Sequence, residues 1–319
     1  MDGKQGAVPN GAYFPFASFA VKKVSPSYRG RFAPSPTGPL HFGSLVAAVG
    51  SFLDARAAGG EWRVRIEDLD PPREVPGAAD AILRSLEALG LHWDGEVLYQ
   101  SRRAEYYAAA LERLARDGLV YPCACTRREV REQGVDGVVY PGTCRNGLPP
   151  GRTARTLRVR VDGARIAFAD RLLGAFEQDL PREVGDFVLR RADGLAAYQL
   201  AVVVDDAAQG INQVVRGSDL LDSTARQIHL QCLLGLPAPA YLHLPVAAHA
   251  DGSKLSKQTF APAIDTREGA ALARRVLAFL GQPLPDEALD LDELWCWSAA
   301  RWDPARIPAR RAIPVAPGT

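Results

Sequence analysis

The chain has 319 residues, 47% of them hydrophobic and 24% charged, with 38 basic against 37 acidic side chains. That composition supplies a buried core and excludes a disordered, collagen-like or disulfide-scaffold protein. No apolar run approaches the roughly 20 residues that span a bilayer, which excludes a helical channel or transporter, while a net charge of +1 is silent on nucleic acid because a neutral total can hide a basic face.

Residues 1–28 hold an apolar stretch, Ala12–Val21, that follows an acidic start and is broken by Pro15, so the segment reads as a disordered extension or a misplaced start codon rather than a signal peptide. Arg29–Ala33 predicts a strand, Pro34–Leu40 a stiff proline- and glycine-bearing turn, Ser44–Ala57 a helix and Glu61–Ile66 a second strand. That order opens a parallel α/β sheet. Helical spacing recurs over Gly77–Leu89 and Arg103–Asp117, and Tyr121–Gly151 is an irregular insert bearing cysteine and glycine. Leu157–Val161 and Ile166–Ala169 read as antiparallel strands, and Asp186–Leu189, Leu200–Val204 and Val214–Arg216 as buried ones. Helix Asp219–Leu234, strand Tyr241–Ala248 and helices Thr266–Leu280 and Glu287–Ala300 complete the pattern, and the tail from Arg301 onward yields no reading.

Three features carry chemistry. The turn Pro34–Ser44 sits between a strand and a helix, where open α/β sheets bind ligands, with His41 at the helix entrance and Gly43 allowing close backbone approach. Neither a Walker loop nor a GxGxxG fingerprint occurs, which argues against P-loop NTPases and dehydrogenases. The chain is arginine-rich and has only five lysines, yet Lys254 and Lys257 stand three apart in one glycine-flanked loop. An ammonium is a compact point charge that the planar guanidinium does not imitate. Of five cysteines, Cys232 and Cys296 lie in apolar helical surroundings and are expected to fill core. Cys123, Cys125 and Cys144 fall within 22 residues and suggest a tetrahedral zinc site, whose fourth ligand is Tyr140, water or a carboxylate, since the insert contains no histidine.

The motifs resemble those of class I aminoacyl-tRNA synthetases. His41-Phe-Gly-Ser44 is similar to their His-Ile-Gly-His signature, and Lys254-Leu-Ser-Lys-Gln258 to their Lys-Met-Ser-Lys-Ser loop. Arg31-Phe-Ala-Pro-Ser-Pro-Thr-Gly38 resembles the opening of glutamyl-tRNA synthetases. Arg65–Gly77 and Ala197–Asp206 narrow the likeness to the glutamyl-queuosine tRNA(Asp) synthetase family, from about Tyr28 to Phe260.

The resemblance implies a class I Rossmann-like, doubly wound parallel sheet with a zinc-bearing insert and a short helical C-terminal segment. The corresponding domains are a first catalytic half over 29–120, an acceptor-side insert over 121–185, a second half with the lysine loop over 186–262, and helices over 263–319 without an anticodon-binding domain. It further implies a cytoplasmic enzyme that activates glutamate with ATP and Mg2+ in the absence of tRNA. The glutamyl group would then go to the cyclopentenediol of queuosine in tRNA(Asp), with no membrane or protein partner.

In the resembling family the positions of Arg31, Ser35, Glu67, Tyr198 and Arg216 form the glutamate pocket, and the tyrosine at Tyr140 ligates zinc. His41, Gly43 and Lys257 would meet ATP, with Lys254 supporting closure of the loop. Arg127, Arg128, Arg131, Arg145 and Arg152 are candidates for contacting tRNA phosphates. The alternatives are a truncated glutamyl-tRNA synthetase charging tRNA(Glu) or tRNA(Gln), and a catalytically silent RNA-binding paralogue.

Overall fold

The computed structural model describes residues 27–134, 139–248 and 263–315. The extension up to residue 26 and both Lys254 and Lys257 lie outside the described residues.

The first half comprises β1 (Arg29–Phe32), α1 (Phe42–Ala57), β2 (Glu61–Ile66), α2 (Ala78–Ala88), β3 (Leu98–Tyr99) and α3 (Ala104–Arg116). Next come β4 (Val120–Cys123), α4 (Arg127–Gln133), β5 (Thr156–Val159), β6 (Arg165–Asp170), β7 (Gly174–Asp179), α5 (Leu180–Glu183) and β8 (Phe187–Arg190). The chain continues through α6 (Tyr198–Ala208), β9 (Gln213–Gly217), α7 (Leu221–Leu233), β10 (Ala240–Leu244), β11 (Val246–Ala248), α8 (Gly269–Phe279), α9 (Leu291–Ala299) and β12 (Ala312–Pro314).

Strands β3, β2 and β1 run parallel in that spatial order. Strand β9 lies beside β1, where Asn212 N donates to Arg29 O at 3.1 Å and Arg29 N to Asn212 Oδ1 at 2.9 Å. Parallel β10 follows β9 and leads to β6 and antiparallel β7. The two parallel halves therefore meet at β1 and β9, the switch point at which such sheets open a crevice.

The two faces of this sheet are unlike. Phe32, Trp62, Val64, Val215, Leu242 and Leu244 form one core with Leu45, Val49, Phe52 and Leu53 of α1, and α8 and α9 close over that helix. Gly50 brings α1 within reach of β10, since a Cβ there would stand 2.5 Å from Leu244 Cδ1. The alternate positions Arg31, Arg65, Arg216 and His243 are also buried, but they face α6 and α7 and bond to Asp206, Thr224 and Gln227.

Several expectations are corrected. Leu200–Val204 is not a strand but the interior of α6, where Leu200, Ala201, Val202 and Val203 are all buried, so that the helical period disappears into a continuous apolar run. β5 and β6 are antiparallel strands as expected, though with different partners: β5 pairs with β4 and β8, and β6 with β7, a strand the sequence reading missed. Pro245 divides the expected strand Tyr241–Ala248 into β10 and β11. The insert is less irregular than expected, because Thr126 and Glu129 form a reciprocal capping box that starts α4.

Cys232 and Cys296 are exposed, on the solvent sides of α7 and α9, rather than in the core. Tyr28, assigned to the extension, belongs to the fold: its hydroxyl donates to Asp54 at 2.5 Å and its carbonyl accepts from Glu61 N at 2.9 Å. The tail gains a role as β12, which pairs in parallel with β11.

Candidate active site

A cleft of about 810 Å³ opens where the C-terminal ends of β1 and β9 meet the start of α1, and Arg31, Ser35, His41, Gly43, Glu67, Tyr198 and Arg216 all line it. These are all of the expected nucleotide and glutamate residues that the described chain contains. They come from four separate stretches, 31–43, 67, 198 and 216, which the topology brings together.

His41 caps α1. Its Nδ1 accepts from Ser44 N at 3.3 Å, while Ser44 Oγ accepts from His41 N at 2.8 Å. A neutral imidazole that accepts at Nδ1 carries its proton on Nε2. No acidic side chain occupies the first turn of α1, so the positive end of the helix dipole meets the cleft undiluted. On the other side, described residues resume at Ala263, which forms a bridge with His41, and Ile264 N donates to Leu40 O at 3.1 Å. The chain that follows the lysine motif thus returns to the turn that holds His41.

The arginines are held differently. Arg31 donates Nε to Asp206 at 3.2 Å and leaves both Nη groups without a partner among the described residues. Arg65 bonds Asp206 at 2.7 Å and Glu67 at 3.2 Å, so one buried guanidinium ties the helix carboxylate to a cleft carboxylate. Burial opposes the charge on Asp206, yet Arg31 and Arg65 hold its carboxyl below the usual range. Burial wins at Glu67 and pushes its carboxyl up despite Arg65 and Arg31. Burial likewise raises the Tyr198 hydroxyl. Arg216 has no carboxylate partner among the described residues; its contacts are His243, Gln227, Thr224 and the Leu220 carbonyl. An anion is what that guanidinium lacks.

Sequence reasoning missed Arg65, Asp206, Asp170 and His243. The usable signals were an Asp205–Asp206 doublet closing an apolar run, an arginine two residues before Glu67, and a histidine inside a buried strand. Asp68 accepts from Ser101 N at 2.8 Å and Oγ at 2.6 Å, and Asp70 pairs with Arg73 at the rim.

The cysteine cluster forms a second centre. Ligand atoms of Cys123, Cys125 and Cys144 lie within 4.8 Å of one another and could hold a metal ion. Cys125 and Cys144 sulfurs are 3.7 Å apart, and the Tyr140 hydroxyl stands 3.4 Å from Cys123 Sγ and 3.7 Å from Cys125 Sγ. The Tyr140 oxygen also accepts from Cys144 N at 2.9 Å. Arg158 covers the group, with Nε 3.3 Å from Cys123 Sγ and its guanidinium carbon 3.8 Å from the Tyr140 ring centroid. Burial opposes ionisation of Cys123, but hydrogen bonds from Tyr140, Cys125 N and Arg158 bring its thiol down to about 7.

Gly185 lets the insert dock. It has φ +70°, and a Cβ there would stand 2.7 Å from the Tyr140 carbonyl oxygen. Three of the arginines considered for RNA phosphates already have partners: Arg145 grips Asp186 and Asp162, Arg152 grips Glu129, and Arg128 pairs with Glu132 at 3.6 Å.

Comparisons with known proteins identify the family. The family model of class I tRNA synthetases (E and Q), catalytic domain, matches residues 27–271. A glutamyl-Q tRNA(Asp) synthetase of Chromobacterium violaceum is 61% identical over 285 residues, 88% of this chain and 96% of that one. Its counterpart from Dechloromonas aromatica is 60% identical, over 90% of this chain and 97% of the relative. Among solved structures, a glutamate tRNA ligase of Elizabethkingia meningosepticum in complex with its amino acid superposes with TM-score 0.74 at 27% identity, covering 88% of this chain and 66% of that one. A glutamate-tRNA synthetase of Elizabethkingia anophelis gives 0.77 at 26% identity, covering 92% and 68%. The chain thus spans about two thirds of the length of those ligases and nearly all of its curated relatives.

Proposed function

The chain belongs to the class I tRNA synthetases of the glutamate and glutamine type, within the glutamyl-Q tRNA(Asp) synthetases, and from that premise we propose that it activates glutamate with ATP and transfers it to queuosine in tRNA(Asp). The enzyme is a ligase. The observation that carries the site assignment is the convergence of Arg31, Ser35, His41, Gly43, Glu67, Tyr198 and Arg216 on one cleft at the switch point of the sheet.

In the first step a carboxylate oxygen of glutamate attacks the α-phosphorus of ATP, the bond to the bridging oxygen of the β-phosphate breaks, and pyrophosphate leaves. The substrate supplies the nucleophile, so the protein aligns the reactants and stabilises spreading negative charge. Arg216 and the Nη groups of Arg31 receive the carboxylates of glutamate. Glu67 receives its ammonium, which draws the carboxyl into its charged form, and Ser35 and Tyr198 add hydrogen bonds. His41 Nε2–H and the N-terminus of α1 meet phosphate oxygens, and Gly43 leaves room for adenosine.

Lys257 is assigned to the β- and γ-phosphates and Lys254 to loop closure by their place in the motif, with Mg2+ supplying further charge on the phosphates. In the second step a hydroxyl of the cyclopentenediol attacks the activated carbonyl carbon, AMP leaves, and the hydroxyl proton passes to solvent. The decisive experiment compares transfer of labelled glutamate to queuosine-bearing and queuosine-free tRNA(Asp). Transfer to the first alone supports the reading; charging of tRNA(Glu) or tRNA(Gln) instead would replace it.

Cys123, Cys125, Cys144 and Tyr140 hold zinc in this reading. Four ligands at ordinary zinc bond lengths have edges of about 3.8 Å between sulfurs and about 3.5 Å between sulfur and oxygen. Three edges of the cluster, 3.7 Å for sulfur to sulfur and 3.4 and 3.7 Å for sulfur to oxygen, fit that tetrahedron, and the three sulfurs all lie within 4.8 Å of one another. Zinc would fix the shape of the insert, and Arg158 would offset part of the charge of the thiolates. Elemental analysis of metal-replete protein should find about one zinc per chain, as a four-ligand structural site requires. Less than about half would count against the site.

A further inference from the structure

Arg216 is exceptional among the cleft arginines because a neutral ring, not a carboxylate, receives its Nε–H. His243 Nε2 lies 3.1 Å from Arg216 Nε, and His243 Nδ1 lies 2.7 Å from Asp170 Oδ2. We propose that Asp170 and His243 are positioning residues that fix the orientation in which Arg216 meets a substrate carboxylate. This inference rests on the reading of Arg216 as a glutamate-binding side chain.

The proton positions follow from the partners. A carboxylate cannot donate, so the ring proton must lie on Nδ1, facing Asp170; a guanidinium cannot accept, so Nε2 must present its lone pair to Arg216. Asp170 is itself pinned: Oδ1 accepts from Leu172 N at 3.0 Å and Leu173 N at 2.9 Å, and Oδ2 accepts from His243 N at 3.1 Å. Burial opposes its charge, but the His243 ring and these backbone donors hold the carboxyl below its usual range.

Burial also lowers the affinity of His243 for a second proton, and the Arg216 charge adds to that effect while Asp170 works against it. The groups facing the ring are Asp170 of β6, Arg216 of β9 and Thr224 of α7 at 3.2 Å, with Tyr241 stacked against it from its own strand and the Arg31 charge of β1 at longer range. Asp170 and His243 have no exposed side-chain surface and do not line the cleft, so they act only through Arg216. The arrangement leaves Arg216 oriented at Nε yet electrically uncompensated at the cleft. A carboxylate in place of His243 would orient it equally well and cancel the charge that selects an acidic substrate.

The test measures glutamate-dependent pyrophosphate exchange, with KM for glutamate and for ATP taken separately. Asp170→Asn keeps the shape but lets an amide N–H face Nδ1, which moves the ring proton to Nε2 and against the guanidinium. His243→Phe keeps the ring without an acceptor. Both should raise the glutamate KM roughly ten- to hundredfold, the range for losing a buried hydrogen bond to a charged group, with the ATP KM within about twofold. His243→Gln can place a carbonyl oxygen near the former Nε2 and should recover most of the loss.

Nitrogen NMR of the wild-type imidazole should find the proton on Nδ1, a readout independent of substrate and of whether a variant folds. A proton on Nε2, parallel rises in both KM values, or His243→Gln as impaired as His243→Phe would each overturn the proposal. Arg216→Ala with an unchanged glutamate KM would instead overturn the reading of Arg216 itself.

Discussion

The two faces of the central sheet are built from alternate residues of the same strands, yet they obey opposite rules. Under α1, Phe32, Trp62, Val64, Val215, Leu242 and Leu244 form a dry core whose stabilisation follows from area removed from water. Under α6 and α7, Arg31, Arg65, Arg216 and His243 are almost equally buried, at 3%, 0%, 4% and 0% exposed. Parallel strands covered on both sides ordinarily read as continuous apolar runs. Buried ion pairs are a poor way to gain stability, because desolvation cancels most of the attraction. On the function proposed above, the charged second face is where the fold gives up packing for ligand chemistry, and Arg31 and Arg216 carry its charge to the cleft.

That contrast can be broken most severely at Asp206, which holds both Arg31 and Arg65. Asp206→Ala leaves two buried guanidiniums short of a partner and should cost about 3–5 kcal/mol in urea unfolding, with loss of glutamate-dependent exchange. Leu242→Ala, on the opposite face of the sheet, should cost about 2–5 kcal/mol yet leave exchange per folded molecule nearly unchanged. If both variants lost activity in proportion to stability, the two faces would not differ in role.

Acid should load the buried ionic groups, on that face and in the insert, without mutation. His243 and His229 are held neutral when folded, by burial first, so unfolding takes up protons below the ordinary histidine pKa of about 6.5. Stability should then fall as pH drops below that value. Asp170, Asp186 and Asp206 are held below the usual carboxylate range, so their contribution is present above about pH 4 and is lost as pH falls towards their folded values. Melting temperature followed from pH 8 to pH 3 should show both declines, and a flat response between pH 7.5 and 5.5 would contradict the first. Cys296→Ser, exposed and on neither face, sets the baseline and should stay within about 0.5 kcal/mol of the parent.

The dry face was legible in the sequence because β2 alternates apolar and charged residues, which placed it at Glu61–Ile66 to the residue, while α1, buried almost all round, was read from its small residues and the turn before it. The ionic face was only half legible. Its cleft residues were found because the resemblance names them, while Arg65 and Asp206 stand at the ends of matched segments without a named role, Asp170 and His243 lie in none, and the four come together only when β2, β6, β9, β10 and α6 are assembled. Total burial hid the helix at Leu200–Val204, since a helix apolar all round has no period to read. Cys232 and Cys296 show the reverse error: apolar neighbours in sequence do not decide which side of a helix a residue occupies.

The central claim is that the ionic face positions an acidic amino acid against ATP, and glutamate-dependent pyrophosphate exchange without tRNA, in wild-type and Arg216→Ala enzyme, tests it most directly. The account predicts robust exchange in the wild type and none in the variant, with both proteins folded by circular dichroism. Equal exchange in the two, or none in the wild type with magnesium and intact ATP present, would contradict it.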